Sequence, residues 1–223
     1  METVTKMRLS KETVTILKNF ASINSNILIK PGKKIRSVSP SKNIYVEADI
    51  QEEFDVEVAI WDLNQFLGVI SMFNNPDLEF NEKYVDISNG RSTVRYYYTS
   101  ANLLTYASKA PRFSDPIITF DLDEALLAEI LKAASILQVN DIKISAIDGK
   151  ITILVDDSQN TTSNNFSIVI EEDYSGPDYI GKFNVSEIKF LPGSYTIEIT
   201  DTIVSRFTHE SGNIAYYMAI EKV

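Results

Sequence analysis

The 223-residue sequence predicts an α+β protein made of two duplicated units, each carrying helices on one face of antiparallel sheets. Three observations lead there. Helical periods are few and are set among many short alternating runs. The order helix, hairpin and strand, helix, three strands occurs twice. Between the two occurrences lies "TSANLLTYASKAPRFSDP", which has two prolines and no sustained period. The boundaries that follow are residues 1–99, a connector over 100–116, and residues 117–223.

In the first half, Leu9, Thr13, Ile16, Leu17, Phe20 and Ile23 fall on one helix face at about 100° per residue, with Ser10 as N-cap. "NILIK" reads as a strand, "PGKK" as a turn and "NIYVEADI" as the next strand, after which "FDVEVAI" alternates. "DLNQFLGVISMFNN" makes a second helix capped by Asp62, with Gln65 as the capping-box partner. "DLEFN", "KYVDIS" and "STVRYYYTS" return to strands.

The second half repeats the order. "FDLDEALLAEILKAASIL" is a helix with Asp121 and Glu124 in capping-box positions, and "NDIKISAIDGKITILVDD" is a hairpin turning at Asp148-Gly149. "NNFSIVIEE" is a strand, and "FNVSEIKFLPG" predicts a short fourth helix capped by Asn184, with Glu187 at the capping-box position, ended by Pro192-Gly193. "SYTIEIT", "IVSRFT" and "IAYYMAIEKV" close the chain as strands.

Composition removes several classes of function. The chain has no cysteine, so thiolate chemistry, disulfides and cysteine-ligated zinc are excluded. No run of 18 apolar residues spans a bilayer, and "METVTKMRLS" is too polar for a secretory signal, so the chain reads as soluble and intracellular. Its only histidine, His209, sits in "FTHESG" at a strand end or turn, and no Walker A, G-x-G-x-x-G or G-x-S-x-G spacing occurs. Asp156-Asp157 and Glu171-Glu172-Asp173 close strand runs and read as loop starts, not metal ligands. No cofactor and no enzymatic reaction is expected.

The formal net charge of −10 makes the solvent faces of the helices informative. Helix one shows Lys11, Thr15, Lys18 and Ser22, and helix two shows Asn64, Gly68 and Ser71. Helix three shows Ala125, Ala128, Lys132 and Ser135, while Lys189 is the exposed charge of the short fourth helix. An acidic protein that keeps its helix stripes neutral or basic can meet a polyanion on its helical side. A second basic cluster, "KPGKKIRSVSPSK", groups Lys30, Lys33, Lys34, Arg36 and Lys42 as a candidate rim.

"LKNFASINSNILIK", "FDVEVAIWDLNQFLGVISMFNN" with "GRSTVRY" after it, and "FLPGSYTIEI" resemble the DNA polymerase sliding clamps of T-even type bacteriophages, relatives of proliferating cell nuclear antigen. The resemblance spans residues 7–223 and is densest over 17–29 and 54–73. Helix three is poorer in basic residues than the family form. The resemblance implies a homotrimeric ring of two-domain, clamp-like subunits around duplex DNA, with helices lining the hole and sheets forming the wall. It places Lys11, Lys18, Lys132, Lys189, Thr15, Ser22, Asn64 and Ser71 toward DNA, without base readout. It further implies an ATP-driven clamp loader, a DNA polymerase held by its C-terminal peptide, a part in late transcription, and action in the cytoplasm of an infected bacterium. By the same resemblance the peptide pocket involves Leu103, Leu104, Tyr106, Pro192, Tyr217 and Ala219.

Size agrees. Four helices per subunit at about 10 Å spacing give three subunits a circumference of about 120 Å and a hole of about 27 Å, against about 15 Å for two subunits. The competing class is a non-catalytic, β-rich phage structural or assembly protein that uses the same helices for packing.

Overall fold

The computed structural model describes residues 5–160 and 162–222. The chain forms two compact units, Met1–Ala110 and Pro111–Val223. Unit 1 runs β1 (Thr5–Met7), α1 (Lys11–Ile23), β2 (Ile27–Ile29), β3 (Gly32–Val38), β4 (Ile44–Phe54), β5 (Val58–Ile60), α2 (Leu63–Ser71), β6 (Asp77–Phe80), β7 (Tyr84–Ser88) and β8 (Thr93–Tyr97), then a 3₁₀ turn at Ala101–Leu103. Unit 2 runs β9 (Pro116–Leu122), α3 (Glu124–Leu137), β10 (Asp141–Ile147), β11 (Lys150–Asp156), β12 (Phe166–Glu171) and β13 (Tyr179–Asn184). A 3₁₀ turn at Val185–Glu187 follows, then β14 (Tyr195–Thr200), β15 (Val204–His209), β16 (Ile214–Ala219) and β17 (Glu221–Lys222).

The strand pairings carry the duplication. Unit 1 orders β1-β6-β7-β8, and unit 2 orders its counterparts β9-β14-β15-β16, all antiparallel. The β2–β5 and β3–β4 pairs of unit 1 reappear as β10–β13 and β11–β12. Helices cover one face: α1 packs on β3 and β4 and against α2, and α3 packs on β11 and β12. The fold is α+β, as the alternation of periods predicts.

Local physics sets the elements. In α1 the Ser10 hydroxyl accepts the Thr13 N–H at 3.1 Å, and the buried face is Thr13, Ile16, Leu17, Phe20, Ala21 and Ile23. Burying each large apolar side chain contributes about 1.5–3 kcal/mol. The Asp148-Gly149 turn has φ of 52° and 76°, the paired positive values of a two-residue hairpin. In β3, Ile35 and Ser37 are buried while Lys34 and Arg36 are half-buried on the opposite face, away from α1.

Three expectations need correction. α3 is capped by Asp123, whose carboxylate accepts the Leu126 N–H at 2.7 Å, and not by Asp121. β9 continues through Leu122 with Ile118, Phe120 and Leu122 buried, so Asp121 is a strand residue accepting from the Thr196 hydroxyl at 2.7 Å. "PGKK" is only half a turn, because β3 begins at Gly32.

The fourth helix is a single 3₁₀ turn. Asn184 does cap it, accepting the Ser186 N–H at 2.9 Å, but the chain then leaves helical geometry. Two tyrosines satisfy its backbone instead: the Leu191 N–H donates to the Tyr216 hydroxyl at 3.1 Å, and the Tyr195 hydroxyl donates to the Leu191 carbonyl at 2.6 Å. Phe190 is drawn between Tyr216 (4.5 Å) and Phe207 (4.9 Å). Among the described residues there are three α-helices, so the hole size reckoned from four helices per subunit does not carry over.

Candidate functional site

Unit 1 brings four of the sequence-selected residues together. α1 and α2 flank a cavity of about 610 Å³, floored by Leu9, Val14, Leu67 and Ile70 and bounded by Lys11, Thr15, Lys18 and Ser71. Residues 73–76 close one end. Five other cations of this unit are tied to carboxylates, Lys6 and Arg8 to Asp77, Lys34 and Arg36 to Glu47, and Arg95 to Asp86, whereas Lys33, Lys42, Lys83 and Arg91, like the two lysines of α1, are in no ion pair among the described residues. Lys11 and Lys18 make no such pair among the described residues, and both are exposed.

The helix that presents them is anchored at its first turn. Glu52 on β4 accepts from the Ser10 N–H and from the Thr13 hydroxyl at 2.5 Å. Burial would raise the Glu52 carboxyl, but the hydrogen bonds from Thr13 and Ser10 outweigh it and hold the group below its ordinary value. The result fixes a carboxylate at the positive end of α1, where the helix dipole favours it.

The small polar residues are less free than their exposure suggests. The Thr15 hydroxyl donates to the Lys11 carbonyl at 2.8 Å, Ser22 to Asn19 at 2.6 Å and Ser71 to Gly68 at 2.7 Å. Their donors are committed to their own helices, so an anion reaches them through a bridging water. Asn64 and Ser22 are exposed but do not line the groove.

Unit 2 presents a different face. Lys132 is exposed on α3, whose outer stripe includes Ala125, Ala128 and Ile136, the last 69% exposed. Lys189 lies beyond the 3₁₀ turn, not on a helix.

The basic rim is neutralised at two of its five residues. Lys34 lies 2.9 Å from Asp49, and Arg36 lies 3.4 Å from Glu47, both on the sheet face opposite α1. Lys30 sits over the Tyr106 ring at 5.7 Å, Lys33 is exposed, and Lys42 occupies the β3–β4 turn with φ of 61°.

The residues selected for a peptide pocket fall into distinct settings. Leu104 is buried with Leu28 and Ala59, whereas Leu103 is 62% and Tyr106 40% exposed. Pro192 borders a cavity of about 320 Å³ beside α3, and its carbonyl lies 3.1 Å from His209 Nε2. Tyr217, one residue past the inward Tyr216, faces the other way, toward Phe113. Ala219 is half-buried opposite Val204.

The side chains of "RYYY", at the end of β8, are each engaged differently. Arg95 makes two 2.8 Å bonds to Asp86 and lies over the Tyr84 ring, Tyr96 packs on Phe66 of α2, and the Tyr98 hydroxyl is buried, leaving Tyr97 exposed.

Sequence reasoning missed two arrangements: the Glu52 anchor of α1, and a row on unit 2 in which Arg206 binds Glu198 through two 2.6 Å bonds and lies 4.5 Å from the Phe113 ring. The alternation in "SYTIEIT" and "IVSRFT" puts Glu198 and Arg206 on outward positions. Only strand register pairs them.

Comparisons with known proteins identify the family and the fold. A family model described as DNA polymerase processivity factor matches residues 10–106. The sliding clamp of Escherichia phage RB69 is 33% identical over 226 residues, covering 96% of this chain and 97% of that protein. The chain belongs to the phage sliding-clamp family. A second sliding clamp, from Enterobacteria phage T4, is 32% identical over 199 residues, 86% of each chain. Among solved structures, the A. fulgidus PCNA bound to the C-terminal region of FEN-1 matches with a TM-score of 0.72 at 14% identity, covering 100% of this chain and 99% of that one. The Helicobacter pylori beta clamp bound to a DNA ligase peptide matches at a TM-score of 0.75 and 14% identity, over 100% of this chain and 67% of that one. These two share the fold. As a phage sliding clamp, the chain is a DNA polymerase processivity factor, and no helix among its described residues is long and apolar enough to cross a membrane.

Proposed function

We propose that three copies of the chain close into a ring around duplex DNA, with the α1–α2 groove toward the phosphates, and so tether the phage DNA polymerase without catalysing a step themselves. The observation that carries this reading is the convergence of Lys11, Thr15, Lys18 and Ser71 on one groove in a chain of net charge −10. Unpaired lysines above back-bonded hydroxyls attract phosphates without reading bases, which suits a protein that must slide.

The ring contact in this reading joins β8 of one copy to β12 of the next. Each strand is the last of its sheet, with backbone groups open on one side. Exposed apolar side chains accompany both edges: Met72 (71%) and Tyr97 (66%) in unit 1, Ile136 (69%) and Val169 (45%) in unit 2. A head-to-tail contact of this kind closes into a ring when the rotation permits.

The partners are an ATP-driven clamp loader, the C-terminal peptide of the DNA polymerase and the factors of late transcription, in the cytoplasm of the infected host. Lys132 and Lys189 serve as lesser DNA contacts. Lys30, Lys33 and Lys42 are what remains of the basic rim after Lys34 and Arg36 are paired.

The test has two parts. Light scattering over a range of concentrations is expected to give a mass of about three times the 25.1 kDa chain. Once loaded, the protein is expected to stay on closed circular DNA and leave linear DNA from its ends. A mass fixed at one or two chains, or equal loss from circles and linear DNA, overturns the ring and favours a structural protein.

A further inference from the structure

We propose that Phe113 is a built-in occupant of a socket for an aromatic side chain on unit 2, and that an extended partner peptide bearing phenylalanine or tyrosine takes its place. The inference rests on the reading above in placing Tyr217 at the partner-peptide surface.

The socket is a cross-strand row. Glu198 on β14 is registered opposite Arg206 on β15, which is registered opposite Tyr217 on β16. Two 2.6 Å bonds that the Arg206 guanidinium donates to the Glu198 carboxylate hold it in a fixed plane. That plane lies 4.5 Å from the centre of the Phe113 ring, and the Tyr217 ring meets Phe113 edge-on at 5.9 Å and 81°. A cation plane and an aromatic wall at these spacings form a recognition site for one flat ring.

The ring that fills it does not come from the sheet. Phe113 belongs to the stretch that enters unit 2 from the connector, and its neighbours Arg112 and Ser114 are exposed. Beside it, the Ser114 hydroxyl reaches Asp201 only at 3.3 Å. When Phe113 swings out, it uncovers Tyr217 and the Arg206 stem, an apolar site with its cation already oriented. A peptide aromatic then recovers both contacts.

A site occupied by its own chain binds a partner with affinity reduced by the fraction of time it is open. If the open form is about a tenth of the population, removing Phe113 tightens binding about tenfold.

The experiment uses the full chain and, as probe, a fluorescent peptide matching the C-terminus of the DNA polymerase of the same phage. Binding is measured by anisotropy to the wild type and to Phe113→Ala, with thermal unfolding to confirm that the variant is folded. Tighter binding to Phe113→Ala, lost when the peptide's aromatic residues are replaced by alanine, is the expected result. Equal binding to both chains overturns self-occupancy while leaving the partner surface intact. Weaker binding to the variant makes Phe113 part of the contact and also overturns it. Binding to neither chain removes the partner surface itself.

A second measurement does not depend on how the variant folds. The chain has no cysteine, so Arg112→Cys carries a single nitroxide label. Saturating peptide is expected to increase the label's mobility. Unchanged mobility with peptide bound contradicts displacement of Phe113.

Discussion

α1 and α3 occupy equivalent places in the two units, yet they are differently clothed. α1 buries six of its 13 residues, packs against α2 and keeps Lys11 and Lys18 on the outside. α3 buries two of its 14, Ile130 and Ala134, and carries Ile136 outward. The difference follows from what comes after β5 and β13. α2 gives α1 a helical neighbour, whereas the 3₁₀ turn gives α3 a loop pinned by Tyr195 and Tyr216. A duplicated topology therefore preserves strand order while leaving each helix surface free to meet its own partner, which in our proposal is DNA phosphate for α1 and the next copy of the chain beside α3.

The largest effect should come from putting charge on the apolar side of α3. Ile136→Glu is expected to weaken self-association about a hundredfold or more, because an unpaired carboxylate is costly to bury. Light scattering would show the mass falling toward one chain, while Lys18→Glu leaves it unchanged. If Ile136→Glu keeps the full assembly, α3 and α1 do not divide the work as argued.

Next is the electrostatic half of the comparison. Each lysine that touches a phosphate contributes about 0.9 to the slope of log K against log salt. Removing Lys11 and Lys18 together is expected to lower the slope for duplex binding by about 1.8 per engaged unit, and Lys132→Gln by less. A larger loss from Lys132→Gln would reverse the roles of the two helices.

The capping residues give smaller, purely stabilising effects. Glu52→Gln is expected to cost about 1 kcal/mol in thermal or denaturant unfolding, comparable with Ser10→Ala. Because the Glu52 carboxyl is held below its ordinary value, its contribution is present at neutral pH and is lost as pH falls through the folded-state pKa. The wild type should therefore lose more stability on acidification than Glu52→Gln does. The smallest effect is expected at Asn184→Ala, within about 0.5 kcal/mol, since it caps one turn and no helix. A cost equal to that of Ser10→Ala would mean the turn matters as much as a helix.

Much of this was legible in the sequence, and the exceptions share a cause. Ser10, Asp62 and Asp148-Gly149 were readable because cap and turn chemistry is local. The apolar face of α1 was readable because its period repeats over several turns. The capping-box spacing to Glu124 selects Asp121, but the pairing of β9 with β14 holds Asp121 in a strand and leaves the cap to Asp123. "FNVSEIKFLPG" carries helix signals at both ends, but tertiary bonds from tyrosines far along the chain decide its conformation. Lys34 and Arg36 looked free until register set them opposite Asp49 and Glu47. In the site, residues on one helix face could be selected, but their grouping into a groove with Ser71 of another helix could not.

The most direct test of the central claim asks which surface touches DNA. Lys18→Cys and Lys34→Cys, each the only cysteine in its chain, would carry a photo-crosslinker on the protein loaded onto a nicked circle. Position 18 is predicted to give a DNA adduct and position 34, on the opposite sheet face, little or none. Equal adducts from both positions, or adducts from 34 alone, would contradict a DNA path along the α1–α2 groove.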